Sequence, residues 1–422
     1  MLFPRSTFAC CALDGKIVVT GGFTRPWDSI LKSEIYDPER DVWEPLPDLN
    51  YTDNSPCSGV VIGGKMHVFH KKLSTVQSGL IDGIPDAIAL QCLARVPFFH
   101  HLQLQIVCHS WRDALRSPDF LKARQETNAF EDFLCVLAFE PDNVWQLYDP
   151  SMDSWITLPV LPTQVRHLAR FGVVSLHGKL FVLGGGSDGV VWSTGDRNRI
   201  FATNEVWAYD PLLRSWARRA PMLFRRAMFA CCALGGKIVV TGGFTTPRES
   251  ILKSEIYDPE KDVWEPLPDL THTDDSACSG VVIGSKMHVF HKRLSSVQIL
   301  EDGKDRWTVK DYSLPQGPMA VVRGELYVLN NVVVFKQDMG EQGARKEFPL
   351  PEDLLSRIEF GVIGLEDAIY VVGGVIVRPN QFIKLSSDVD VLNVRRVTPT
   401  WQKVKPMSLC RGNVLGCAVL TI

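Results

Sequence analysis

Short apolar runs separated by glycine, proline and aspartate recur along most of this chain. The clearest set lies between Met228 and Leu270. An apolar run from Met228 to Leu234 meets a turn at Gly235-Gly236, and a second run from Lys237 to Thr241 ends in Gly242-Gly243. A third closes on Tyr257-Asp258-Pro259, and a fourth centres on Trp264 and stops at Pro266. Runs this short with such turn residues predict a four-stranded antiparallel sheet of about 45 residues. A lone sheet of that size cannot bury both faces, so further sheets must stack beside it.

They follow from about Glu131 to the end. Tyr148-Asp149-Pro150 with Trp155 marks the back of a first sheet. Phe171–Leu176, Gly184-Gly185, Tyr209-Asp210-Pro211 and Trp216 mark a second, and the stretch just described is the third. A fourth (Ser279–Ile283 to Trp307) lacks the glycine doublet, a fifth (Met319–Val322 to Lys346–Phe348) is degenerate, and a sixth ends at Trp401. The first sheet lacks a leading strand, while Asn413–Leu420 remains as a spare one at the end. That arithmetic predicts a closed ring sealed by the C-terminal strand, which leaves no open sheet edge at the seam.

Between Leu80 and Arg124 the period changes. Ile84, Ile88, Leu93 and Val96, then Leu104, Val107, Trp111 and Leu115, recur at helical spacing. Pro85 is expected to start the first helix, Pro97 to end it and Pro118 to break the next. About 45 residues of helix make a small module that calls for a partner.

Residues 1–77 nearly repeat residues 222–298 at a constant offset of 221. Roughly 80% of positions are identical without a gap, which reports a duplication rather than structural repetition alone. The copy holds about one and a half sheets and has no neighbours of its own.

Composition narrows the class. The chain has 422 residues, 45% of them hydrophobic, and a formal net charge of −3. No basic excess or basic arm points to nucleic acid or a membrane surface, and no apolar run approaches a spanning helix. No secretory leader is read at the N-terminus. Eleven cysteines without a CxxC pair are expected to be buried reduced thiols, as in the cytoplasm and/or nucleus.

A glycine doublet after the second strand, Tyr-Asp-Pro after the third and a spaced tryptophan resemble the Kelch repeat, whose sheets are propeller blades. Residues 80–124 resemble the F-box through Ile84-Pro85, Leu93, Val96-Pro97, Leu104, Val107-Cys108, Trp111-Arg112, Leu115, Ser117 and Phe120. Together they resemble the plant F-box/Kelch-repeat proteins named as Skp1-interacting partners. The resemblance implies an all-β fold: a six-bladed Kelch β-propeller over 131–422, closed by the C-terminal strand and preceded by a small all-α F-box module over 78–125. Residues 1–77 stand ahead as a partial Kelch duplicate, where the family usually has none. Phe98-Phe99-His100-His101 also departs from the more polar linker of the family.

The function implied is a non-enzymatic adaptor. The F-box would dock a Skp1-like protein and through it a cullin-RING ubiquitin ligase, and the propeller would hold the target protein. Docking is assigned to Ile84, Pro85, Leu93, Val96, Pro97, Val107 and Trp111, with Trp111 and Leu115 also suited to the helix core. At the propeller mouth, aligning the blades puts Arg225 and Arg226, Asp274 and Asp275, Arg357 and Arg411 just ahead of each first strand, with Arg166 and Arg170 nearby. Guanidinium forks there would suit an acidic or phosphorylated segment, although a merely solvated rim fits the same residues. The loop Gly186–Asn204, which carries Trp192, Asp196, Arg197 and Arg199, is a further candidate.

No cofactor is expected: there is no Walker loop, dinucleotide fingerprint or nucleophile elbow. His288 and His291, three apart on a strand, point to opposite faces and make a poor metal pair. The alternative reading is a Kelch scaffold, or a small-molecule or metal-dependent Kelch enzyme, with a degenerate F-box.

Overall fold

The computed structural model describes residues 1–25, 28–50, 56–70, 79–165, 167–187, 201–247, 249–301, 303, 306–311, 317–330, 332–337, 345–378, 383–395 and 399–422. It divides into two compact units, Met1–Ala129 and Phe130–Ile422. No helix among the described residues is long and apolar enough to cross a membrane.

The second unit is six four-stranded antiparallel sheets in chain order. The third blade shows why the sequence folds this way. Its strands Ala230–Leu234, Lys237–Thr241, Ser254–Asp258 and Val263–Leu267 pair in succession. Gly242 and Gly243 both have positive φ, at 66° and 89°. A Cβ on Gly243 would sit 2.7 Å from the Ala227 carbonyl oxygen, so only glycine fits this exit. The Asp258 carboxylate accepts from the backbone N–H of Glu260 and Lys261, closing the turn that the Tyr-Asp-Pro signature announces.

The ring closes as the strand arithmetic requires. Arg411–Thr421 pairs antiparallel with Asp132–Glu140 and becomes the innermost strand of the first blade. The inner strands Gly172–Leu176, Ala230–Leu234, Cys278–Ile283, Met319–Val322, Gly361–Leu365 and Arg411–Thr421 then touch in cyclic order. The core lies in the seams between blades rather than in one central body. Phe181, Val206 and Met222 of the second blade meet Ile238, Val240 and Tyr257 of the third, and Leu134 and Tyr148 of the first meet Tyr370 and Val391 of the sixth.

A tryptophan staples each of five seams. The indole N–H of Trp155, Trp216, Trp264, Trp307 and Trp401 donates to the carbonyl of Lys405, Pro159, Ala220, Pro268 and Pro349 respectively, at 2.7–2.9 Å. The fifth blade has no tryptophan in its outer strand, Arg345–Pro349, which accounts for its weak signature in the sequence.

The first unit holds the duplicate and the helices. Strands Ala9–Leu13, Lys16–Thr20, Ser33–Asp37 and Val42–Leu46 form one four-stranded sheet, and Cys57–Ile62 with Lys65–His70 form a two-stranded one. The helices are α1 (Asp86–Ala94), α2 (His101–Gln105), α3 (His109–Leu115) and α4 (Pro118–Glu126). Pro85 stands at the N-cap of α1, as its fixed φ favours. The second helical stretch is split between α2 and α3, because the Cys108 Sγ accepts from Trp111 N–H and caps a new start. Pro118 opens α4 at its first position rather than merely breaking α3.

All eleven cysteines are free thiols. Burial pushes Cys231 and Cys417 up to about 12, whereas Cys10, Cys92 and Cys108 are exposed, contrary to a uniformly buried set.

Candidate interaction sites

Two surfaces carry the expected functional residues. On the helical module the anchor is Arg124, fully buried near the end of α4. Its guanidinium donates to the carbonyls of Ala94 and Val96, at 2.9 and 3.1 Å, which satisfies the C-terminal end of α1. His101 is buried between Phe98 and Phe120 and donates from Nε2 to the Val96 carbonyl at 2.8 Å. Burial, with the nearby Arg124 cation, holds the imidazole down to about 4, so it is neutral at physiological pH. The aromatic-histidine stretch that departs from the family pattern is therefore the keystone of this small core.

That core sorts the docking assignments. Leu93 is buried, and it holds the helices together instead of meeting a partner. Trp111 is half-buried and donates from Nε1 to the Leu80 carbonyl at 2.5 Å, tying α3 to the entry of α1. Val96 and Val107 are half-buried. Ile84, Pro85 and Pro97 are exposed. Three further apolar side chains are exposed on or beside α1 and α2: Ile88, Leu102 and Ile106, the last 78% exposed. Ile88 shares its helical spacing with Leu93, yet Leu93 is buried and Ile88 is not.

On the propeller, the loops that enter the inner strands are held by buried polar groups on the third strand of a blade. Glu255 accepts from Leu223 N–H and from Arg226, both at 2.6 Å. Gln146 accepts from Leu409 and Cys410 N–H and donates to Ser408 Oγ. Gln298 accepts from Thr271 N–H and donates to the His272 carbonyl. Each fixes a mouth loop by satisfying backbone groups that would otherwise be buried unpaired. These latches were not anticipated, because a polar residue in a short strand reads as solvent-facing.

The latches overturn part of the expected arginine ring. Arg226 is fully buried: it donates to the carbonyls of Gly242 and Lys253, at 2.8 and 3.0 Å, and pairs with Glu255. Arg357 is likewise buried against Asp390. Neither can reach a bound protein. Arg170 is half-buried with its guanidinium over the Phe201 ring. Asp274 is turned inward, accepting from Ser276 and from Arg293 N–H. Arg225 and Asp275 are exposed, and Asp275 bonds Ser250. Arg411 is exposed and pairs with Glu140 at 2.9 Å. Arg166, Trp192, Asp196, Arg197 and Arg199 lie outside the described residues. The signal for the buried pair was present twice over in the sequence. Arg5 and Glu34, at the same spacing in the duplicate, repeat Arg226 and Glu255, down to the bonds with the Gly21 and Lys32 carbonyls.

The seam between the sixth and first blades carries a cleft of about 510 Å³ lined by Pro141, Ser387, Met407, Leu409, Glu140 and Arg411. It opens among the loops that enter the inner strands, with Leu409 exposed on its wall. Its lining combines apolar side chains with the Glu140–Arg411 ion pair and the hydroxyls of Ser387 and Ser408. Among the described residues no three His, Cys, Asp or Glu side chains gather where a metal could sit. His288 and His291 are both buried, and His288 Nδ1 lies 3.2 Å from the Lys286 carbonyl.

Comparison with known proteins agrees with both halves of this geometry. The chain matches the Kelch motif over residues 4–50, 167–223 and 225–271, and the F-box domain over residues 81–123. It is 53% identical to the F-box/kelch-repeat protein SKIP30 of Arabidopsis thaliana over 347 residues, covering 82% of this chain and 98% of that protein. It is 27% identical to the F-box protein AFR of Arabidopsis thaliana, covering 71% of this chain and 82% of that one. The solved structure of YjhT superposes with a TM-score of 0.50 at 14% identity, over 64% of this chain and 95% of that chain, which shows the shared fold. The chain belongs to the F-box/kelch-repeat protein family.

Proposed function

We propose that this chain is the target-recognition subunit of a Skp1–cullin–F-box ubiquitin ligase and is not itself an enzyme. The carrying observation is a helical module, tied together by Arg124 and His101, that leaves Ile84, Ile88, Leu102 and Ile106 uncovered. Such a surface calls for an apolar partner groove. A Skp1-like protein fills that role in this reading, and the kinship with SKIP30 supports it. The propeller holds the target at the mouth, where Arg225, Asp275, Arg411 and the cleft beside Leu409 are presented on a scaffold fixed by the latches. Cullin recruitment and ubiquitin transfer fall to other subunits.

The test is a pull-down of the full chain with a purified Skp1-like protein. Ile84→Ala combined with Pro85→Ala, and separately Ile106→Asp, should cut binding at least tenfold while the propeller keeps its unfolding transition. A folded wild-type chain that retains no Skp1-like protein would sink the adaptor reading.

A further inference from the structure

The duplicate and its twin are identical in some places and different in others, and the division follows the architecture. Toward the second blade, the third blade packs Ile238, Val240, Tyr257 and Trp264. Ile17, Val19, Tyr36 and Trp43 repeat these four. The seam between the third and fourth blades uses Leu234, Val239, Met287 and Val289, and Leu13, Val18, Met66 and Val68 repeat those. No position that differs between 1–70 and 222–291 belongs to either cluster. The strand registers also match pair for pair. The differences fall chiefly in the loops that enter the inner strands. Pro4 stands for Arg225, Ser6 for Ala227, Thr7 for Met228 and Asn54 for Asp275. The duplicate is thus the same where a blade is held in the ring and different where a blade meets the mouth.

We propose that residues 1–70 are an exchangeable blade: they take the place of residues 222–291 in the ring of the same chain, and the propeller then presents a different mouth. The proposal rests on the reading of the mouth as the target site. In the exchanged state Ile17, which is 39% exposed, moves to the seam where Ile238 is fully buried. Lys65–His70, identical to Lys286–His291, pairs with Ser296–Glu301 as its twin does. Arg5 and Glu34 bring their own buried latch. The expelled copy gives up the same apolar contacts that the incoming one makes, so hydrophobic burial is close to balanced. Both copies lie on one chain, which makes the exchange unimolecular. Ala227 favours the arrangement described, because it is fully buried and Ser6 in its place would carry a hydroxyl inside. Arg225 and Asp275, both exposed at the mouth, give way to Pro4 and Asn54. A target held by those two charges is then released.

Paired substitutions in the full chain test this. Ile238→Asp should drive the exchange, because an unpaired carboxylate is not tolerated in that seam. Ile17→Asp is tolerated while residue 17 stays exposed, but it bars the duplicate from the ring. The Cys231 thiol donates to the Val173 carbonyl across the seam, whereas Cys10 is exposed. In Ile238→Asp the propeller should keep a cooperative unfolding transition, with Cys231 alkylated roughly tenfold faster and Cys10 roughly tenfold more slowly than in the wild type. Ile17→Asp alone should change neither thiol nor the transition. The two substitutions together should abolish the propeller transition. The proposal is overturned if Ile238→Asp alone unfolds the propeller as completely as the double variant, or leaves it folded with Cys10 still reactive. Sedimentation of Ile238→Asp as a dimer or larger also overturns it, since the exchange would then run between copies. No target is present in these measurements, so their failure leaves the reading of the mouth intact.

Discussion

The sheet at Ala9–Leu46 and the blade at Ala230–Leu267 are almost the same sequence in two settings. Their internal structure is the same. Both pair Tyr with Trp across the outer strands, at Tyr36–Trp43 and Tyr257–Trp264. Both close the turn with a tyrosine hydroxyl on an aspartate, Tyr36 on Asp41 and Tyr257 on Asp262. Both bury the arginine–glutamate pair at the loop entering the inner strand. What differs is the neighbour. Ile238 is fully buried against the second blade, whereas Ile17 is 39% exposed. Trp264 donates to the Ala220 carbonyl of the preceding blade, whereas Trp43 makes no such bond among the described residues. Everything within a sheet is thus local, and everything that makes it a blade comes from the sheets beside it.

The largest effect expected from breaking this comparison is at the latch. Arg226→Ala strands Glu255 and two carbonyls inside the propeller and should cost about 3–5 kcal/mol. Arg5→Ala should leave the propeller transition untouched, because Arg5 belongs to the other compact unit. Denaturant unfolding of both variants, followed by tryptophan fluorescence, checks this. Ile238→Ala should cost about 2–5 kcal/mol, with Ile17→Ala well below that, since a partly wet side chain loses less burial and leaves no closed cavity. If the two isoleucines cost the same, the duplicate has a cover that the first unit does not itself supply.

Acid should act through buried histidines. Burial lowers both His101 and His288 below the ordinary 6.5. A group depressed on folding contributes stability that is complete above its unfolded pKa and is lost as pH falls toward the folded value. For His101 that window runs from about 6.5 down to about 4. His101→Asn should flatten the fall of helical-module stability across that window, as read by helix melting at each pH. The smallest effect expected is at the staple. Trp264→Phe removes one hydrogen bond to Ala220 and should cost about 1 kcal/mol. Trp43→Phe should be close to neutral, and paired thermal melts would resolve the difference.

Much of this was readable before any coordinates. The glycine doublets mark exits where a Cβ would strike the preceding loop, and that steric fact is written in residue type alone. Proline at 85 marks a helix start through its fixed φ and missing N–H. The mouth was harder to read. Arg225 and Arg226 are adjacent and chemically identical, yet one is exposed and the other fully buried. Position ahead of a strand gives the neighbourhood of a loop residue, not the direction of its side chain. The duplicated spacing of Arg5 to Glu34 and Arg226 to Glu255 was the available clue. Ile88 shows a related limit, because helical spacing names a stripe without saying whether the chain itself covers it.

By itself the sequence determined the number and order of the blades, the strand count that requires closure by the spare strand at Asn413–Leu420, and the switch to helices between 80 and 124. These follow from side-chain period, turn chemistry and counting, which act over a few residues. Only the tertiary structure decided which arginines became latches and which isoleucines stayed on the surface. Burial depends on what stands opposite, and identical segments carry no record of their neighbours.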